Sequence, residues 1–136
     1  MRKGSAEILE AEALKMSGHK VLIVDDHPDI VFMLARFFRK KFECDVTTAF
    51  SVDQAEQFLK TNSFCIIISD FEMPIRNGVE LVNVLKQEDA QVPLLFYTGR
   101  DEPTRFWNAL DYPCAVVRKP NHQELLAVAK HFLIAD

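Results

Sequence analysis

Phe64-Cys65-Ile66-Ile67-Ile68-Ser69-Asp70-Phe71-Glu72-Met73-Pro74-Ile75-Arg76-Asn77-Gly78 is the stretch that decides the fold. Its first five residues form a short, continuous apolar run rich in β-branched side chains, the pattern of a strand covered on both faces. Asp70 ends the run, Met73-Pro74 breaks it, and Asn77-Gly78 opens a helical segment with Val79, Val82 and Leu85 on one stripe. The stretch therefore reads as strand, polar loop, helix. Strands of the same kind are predicted on both sides of it, over Lys20 to Val24, Cys44 to Phe50, Val92 to Tyr97 and Cys114 to Val117.

Helical patterns fill the intervals. Ile30, Leu34, Phe37 and Phe38 share a face after the first strand. Ser51 and Gln54 have capping-box spacing before Val52, Ala55, Phe58 and Leu59, and Asn121 and Glu124 repeat it before Leu125, Val128, Ala129 and Phe132. A short aromatic-rich piece runs from Asp101 to Leu110. Strict β-α alternation predicts an α/β, doubly wound parallel sheet of five strands. Val21-Leu22-Ile23-Val24, Cys65-Ile66-Ile67-Ile68 and Leu94-Leu95-Phe96 are continuously apolar and so central, whereas Asp45-Val46-Thr47-Thr48 is half polar and fits an edge. The flavodoxin-like order 2-1-3-4-5 satisfies both conditions. Right-handed crossovers then put the first and fifth helices on one face and the other three on the opposite face.

The 136 residues, 49% hydrophobic and 26% charged, suit one domain and are too few for two. Such a chain buries about 68% of its unfolded surface, enough for a core without staples. The longest apolar run, residues 30–35, is far short of the roughly 20 residues of a membrane span. No apolar leader pattern stands at the N-terminus, so neither a membrane nor a secreted protein is expected. A net charge of -4 disfavours direct binding of nucleic acid. Cys44, Cys65 and Cys114 lie singly at the starts of apolar runs, as small buried hydrophobes in a reducing, cytoplasmic setting. Residues 1–18 read as a tail or weak helix, and 19–136 as the folded domain.

Polar residues stand at four strand ends: Asp25 and Asp26, Asp70, Thr98, and Lys119 before Pro120. Adjacent strands are about 4.8 Å apart, so the carboxylates ending strands 1 and 3 are forced together. Two such charges at about 5 Å repel by roughly 3 kcal/mol at an effective dielectric near 20. That cluster wants a cation, and an oxygen-rich site with few protein ligands suits Mg²⁺, which keeps water and bridges to phosphate. A Thr hydroxyl and a Lys ammonium beside it make a clamp for phosphoryl oxygens around a carboxylate nucleophile.

Val24-Asp25-Asp26, Asp70-Phe71-Glu72-Met73-Pro74 with Asn77-Gly78, Tyr97-Thr98-Gly99 and Arg118-Lys119-Pro120 together resemble the receiver domain of two-component response regulators, over Lys20 to Ala135. The resemblance implies that Asp70 accepts a phosphoryl group from a histidine kinase or phosphotransfer protein. It implies Mg²⁺ held by Asp26, Asp70 and the main-chain carbonyl of Glu72, with Asp25 assisting, and phosphoryl contacts from Thr98 and Lys119. Gly78 is expected to make the tight turn into the third helix. The implied protein is a phosphoacceptor rather than an enzyme, acting on an output partner or effector domain. Two departures bear on output: Val116 stands where the family has an aromatic residue three before the Lys, and Asp111-Tyr112-Pro113-Cys114 replaces its Gly-Ala turn. They leave open a degenerate receiver that works as a phosphorylation-independent interaction module. A small hydrolase or nucleotide-binding enzyme is disfavoured, because no G-x-G-x-x-G, P-loop or nucleophile elbow occurs. His27, before Pro28, is expected to be a loop residue; Phe106 and Trp107 are expected in the core, and Arg39-Lys40-Lys41 on a solvated helix end.

Overall fold

The structure, a computed structural model, describes residues 18–134. The proposed tail of residues 1–18 thus lies outside the described residues except for Gly18. Five strands, β1 (Lys20–Val24), β2 (Asp45–Ala49), β3 (Ile66–Ser69), β4 (Leu94–Thr98) and β5 (Cys114–Arg118), pair in parallel in the order β2-β1-β3-β4-β5. Between and after them run α1 (Pro28–Phe42), α2 (Val52–Thr61), α3 (Gly78–Gln87), α4 (Thr104–Asn108) and α5 (His122–Ile134).

The helix starts follow local chemistry. Pro28 opens α1, where a missing N–H costs nothing. Ser51 Oγ accepts the Gln54 N–H at 3.1 Å, and Gln54 Oε1 accepts the Phe50 N–H at 2.8 Å. Asn121 Oδ1 accepts the Glu124 N–H at 3.1 Å, while its amide donates to Glu124 Oε2 at 3.0 Å. The basic last turn of α1 complements the negative end of the helix dipole.

The sheet divides the core in two, as its handedness requires. Val21, Ile23, Ile66, Ile68, Leu95 and Tyr97 face α1 and α5; Leu22, Val24, Ile67, Leu94 and Phe96 face α2, α3 and α4. Each fully buried aliphatic side chain here contributes about 1.5–3 kcal/mol relative to exposure. Trp107 is buried and Phe106 half-buried against this second layer, and Arg39, Lys40 and Lys41 are exposed.

Three expectations need correction. Val79 is 40% exposed, because the buried stripe of α3 runs through Leu81, Val82, Val84 and Leu85. Phe132 points outward and Leu133 inward at the end of α5. Cys65 is exposed, since β3 begins one residue later, while Cys44 is buried and Cys114 intermediate.

Candidate functional site

Register brings the acidic residues together. Val24 pairs with Ser69 across β1 and β3, so Asp25 and Asp70, each the next residue, leave the sheet side by side. The Asp70 N–H donates to the Val24 carbonyl at 2.9 Å, and the Asp25 N–H to the Ala49 carbonyl at 3.1 Å. Thr98 pairs with Arg118 across β4 and β5, which delivers Lys119 to the same edge; its N–H donates to the Thr98 carbonyl at 2.9 Å.

Asp25, Asp70 and Thr98 are all buried, and charges so placed need partners. Lys119 Nζ supplies one, donating to Asp25 Oδ2 at 2.8 Å and to Asp70 Oδ2 at 3.0 Å. Burial pulls the Lys119 ammonium toward the neutral form, but the hydrogen bonds and charges of both carboxylates outweigh it and hold its pKa above the ordinary value. Asp70 Oδ1 accepts the Phe71 N–H at 2.7 Å. Ser69 Oγ donates to the Asp70 carbonyl at 2.7 Å, which pins the backbone beneath the carboxylate.

His27 closes the outer side. Its Nδ1 lies 2.8 Å from Asp25 Oδ1 and 3.3 Å from Asp26 Oδ1. The hydrogen bond to Asp25, then the charge of Asp26, raise the His27 pKa above its usual range. Asp26 Oδ1 is buried without a hydrogen-bond partner among the described residues. Carboxylate oxygens of Asp25, Asp26 and Asp70 and a ring nitrogen of His27 lie within 4.8 Å of one another. An orphaned carboxylate oxygen in a three-carboxylate cluster is the donor set a hard divalent cation fits.

Two features were absent from the sequence reading. Arg100 pairs with Glu72 and, through Nε, with Glu102 at 2.9 Å, its guanidinium resting 5.3 Å from the Phe71 ring centre and 4.8 Å from that of Phe106. This latch joins the loop after β3 to the loop after β4 at the mouth of the site. The Arg100 N–H also donates to Thr98 Oγ1 at 3.2 Å. A signal was present: Glu72 and Arg100 carry opposite charge and each stands two residues past the site residue of adjacent strands. Tyr97 Oη, in turn, lies 2.6 Å from His122 Nδ1 at the start of α5.

The tight turn expected at Gly78 has a different origin. The left-handed conformation falls on Ile75, at φ 71°, and Gly78 is small because its neighbours are close: a Cβ there would meet Phe71 Cδ2 at 2.4 Å. A separate apolar pocket of about 600 Å³, lined in part by Val92, Leu94, Tyr112 and Phe132, lies at the opposite end of the sheet and shares no residue with the acidic cluster.

A 2-1-3-4-5 sheet whose carboxyl edge gathers buried carboxylates, a threonine and a lysine defines a class, the phosphoacceptor domains of signalling proteins. Residues 21–130 match the model of the response regulator receiver domain, and the chain belongs to that family. It is 32% identical over 62% of its length to the response regulator protein PilR of Pseudomonas aeruginosa, of which it covers 19%. It is 37% identical over 59% of its length to the heme response regulator HssR of Staphylococcus saprophyticus, of which it covers 35%. The chain thus spans about a third or less of these curated relatives. Among solved structures, chemotaxis protein CheY4 of Vibrio cholerae superposes with a TM-score of 0.76 at 29% identity, covering 86% of this chain and all of that one. No helix among the described residues is long and apolar enough to cross a membrane.

Proposed function

We propose that Asp70 is the phosphoacceptor of this receiver domain and takes its phosphoryl group from a phosphohistidine of a histidine kinase or phosphotransfer protein. The observation that carries the reading is the double hydrogen bond of Lys119 Nζ to Asp25 and Asp70, which sets a buried nucleophilic carboxylate beside a cation able to receive phosphoryl oxygens. An Asp70 carboxylate oxygen forms the new bond to phosphorus while the donor's P–N bond breaks, and the donor ring, protonated at its other nitrogen, leaves as neutral imidazole. The product is an acyl phosphate. Lys119 then pairs with a phosphoryl oxygen, and Thr98 turns its hydroxyl from the Arg100 N–H toward another. Asp25, Asp26, Asp70 and the main-chain carbonyl of Glu72 are the residues that would hold Mg²⁺. When bound, that ion neutralises charge developing on the transferred group.

The receiver unit, assigned from the sequence to residues 19–136, of which 135 and 136 lie outside the described residues, works in the cytoplasm and is consumed and regenerated rather than turning over a substrate. Its output goes to a protein partner or effector domain, with no direct contact of this chain to nucleic acid. Intact-mass measurement after incubation with acetyl phosphate and Mg²⁺ tests the reading. A gain of one phosphoryl group in the parent and none in Asp70→Asn is expected; no gain in the parent refutes it.

A further inference from the structure

His27 was expected to be a plain loop residue, yet its ring is turned into the acidic cluster. It occupies the N-cap position of α1 without capping the helix through its side chain. Instead, Nδ1 approaches the Oδ1 atoms of both Asp25 and Asp26, at 2.8 and 3.3 Å. One of these, Asp26 Oδ1, is buried and has no hydrogen-bond partner among the described residues. Lys119 already occupies the Oδ2 atoms of Asp25 and Asp70. The side of the cluster away from Lys119 is therefore formed by Oδ1 atoms and one imidazole nitrogen; of these, Asp25 Oδ1 also accepts the His27 N–H at 3.0 Å and Asp70 Oδ1 the Phe71 N–H at 2.7 Å.

The four donor groups fall within 4.8 Å of one another, close to the roughly 4 Å spanned by a coordination sphere with bonds of about 2.1 Å. The His27 side chain is 62% exposed, so its ring can close the remaining gap without disturbing the core. Carboxylates and carbonyls alone favour Mg²⁺, whereas imidazole favours zinc and the later first-row metals.

We propose that His27 Nδ1 is a ligand of the ion held by this cluster, so that the site takes Zn²⁺ in preference to Mg²⁺ by a margin that His27 supplies. The inference rests on the reading of the cluster as a metal site. On binding, the bond between Nδ1 and Asp25 gives way to bonds from both groups to the ion, and the neutral ring keeps its proton on Nε2.

The test titrates the whole chain with Zn²⁺ and, separately, with Mg²⁺, following the imidazole ¹⁵N resonances; His19, His122 and His131 serve as internal controls. Expected are a large Zn²⁺-induced shift of His27 Nδ1 in the parent and, in His27→Ala, a fall of about tenfold or more in the ratio of Zn²⁺ to Mg²⁺ affinity, since losing even a group that only supports a ligand costs about 10–100-fold. Mg²⁺ binding with an unshifted His27 under Zn²⁺, or an unchanged affinity ratio in His27→Ala, overturns the inference while leaving the metal site intact. Failure of both ions to bind overturns the metal site and the inference together.

Discussion

Replacing Gly78 by Ala probes the packing that supports the phosphoacceptor. The new Cβ would lie 2.4 and 2.8 Å from Phe71 Cδ2 and Cε2 and 2.9 Å from Phe96 Cε1. Contacts so short force a ring to move. Phe71 has little room, being 2% exposed and set edge-on against Phe96, Phe106 and Trp107 at centroid distances of 5.3, 5.6 and 5.2 Å. Overpacking of this kind costs about 1–3 kcal/mol. Removing a glycine returns about 0.4–1 kcal/mol by restricting the unfolded chain. The net loss is then about 1–2 kcal/mol, or a melting point lower by roughly 3–8 °C. Because the Phe71 N–H donates to Asp70 Oδ1 at 2.7 Å, displacing Phe71 also slows phosphorylation by acetyl phosphate. Urea unfolding of Gly78→Ala, Phe71→Leu and the double variant measures the clash as a favourable coupling of about 1 kcal/mol in the double. A Gly78→Ala protein as stable as the parent, or strictly additive effects, would refute the reasoning.

Four further outcomes are expected. Mg²⁺ raises the melting temperature by binding the native state alone, and Asp70→Asn reduces that rise; a melt indifferent to Mg²⁺ counts against the site. Glu72→Ala frees Arg100 and opens the mouth of the site to water, so the phosphorylated form, followed by phosphate release, decays faster while Mg²⁺ affinity holds, because the main-chain carbonyl remains; equal lifetimes remove the idea. Burial, with a smaller contribution from Cys65, pushes the Cys44 thiol up from its ordinary 9.0 to about 11. The folded state therefore holds this proton more tightly, and the advantage of the parent over Cys44→Ala in urea unfolding falls by about 2 kcal/mol as pH rises from about 8 to 10.5; a constant advantage excludes it. Beryllofluoride, a phosphoryl mimic, shifts amide resonances strongly near Asp70, Thr98 and Lys119 and weakly along β5 and α5; equal shifts there would show that Val116 does not weaken the coupling.

Strand order and the acidic cluster were legible because both follow from which strands must be covered on two faces and where their carboxyl ends fall. Asp25, Asp70, Thr98 and Lys119 needed only strand neighbours to be placed together. What escaped depended on rotation about a helix axis or on loop direction. Val79 and Leu81 in α3, or Phe132 and Leu133 in α5, differ by steps of one or two residues, and apolar spacing alone does not choose between two adjoining stripes. The role of Gly78 was misread for a related reason: a glycine after an asparagine signals a turn, whereas its small size here serves the Phe71 and Phe96 rings. His27 looked inert beside Pro28 because nothing in a sequence says which way a ring turns at an N-cap.

The position of Val116 has a structural counterpart on each side of the sheet. Val116 pairs with Phe96 and packs, half-buried, on the layer containing α4. A valine has one side-chain torsion and no ring, so inward movement of the Thr98 hydroxyl leaves it nothing to swing into the space. Bulk sits in its neighbours on β4 instead. On one face, Phe71, Phe96 and Trp107 touch in sequence from beside Asp70 to α4. On the other, Lys119 Nζ lies 5.8 Å from the Tyr97 ring centre, and Tyr97 Oη reaches His122 Nδ1 at 2.6 Å, at the first residue of α5. Both groups are already closely packed, and the second is also hydrogen-bonded, so a shift at Asp70 has to break contacts before it can move either helix. A receiver with a free aromatic at this point spends little to reorient it. Here the same displacement works against a buried aromatic cluster and a short hydrogen bond, so the α4-β5-α5 face is expected to respond weakly, which is what the beryllofluoride shifts along β5 and α5 measure.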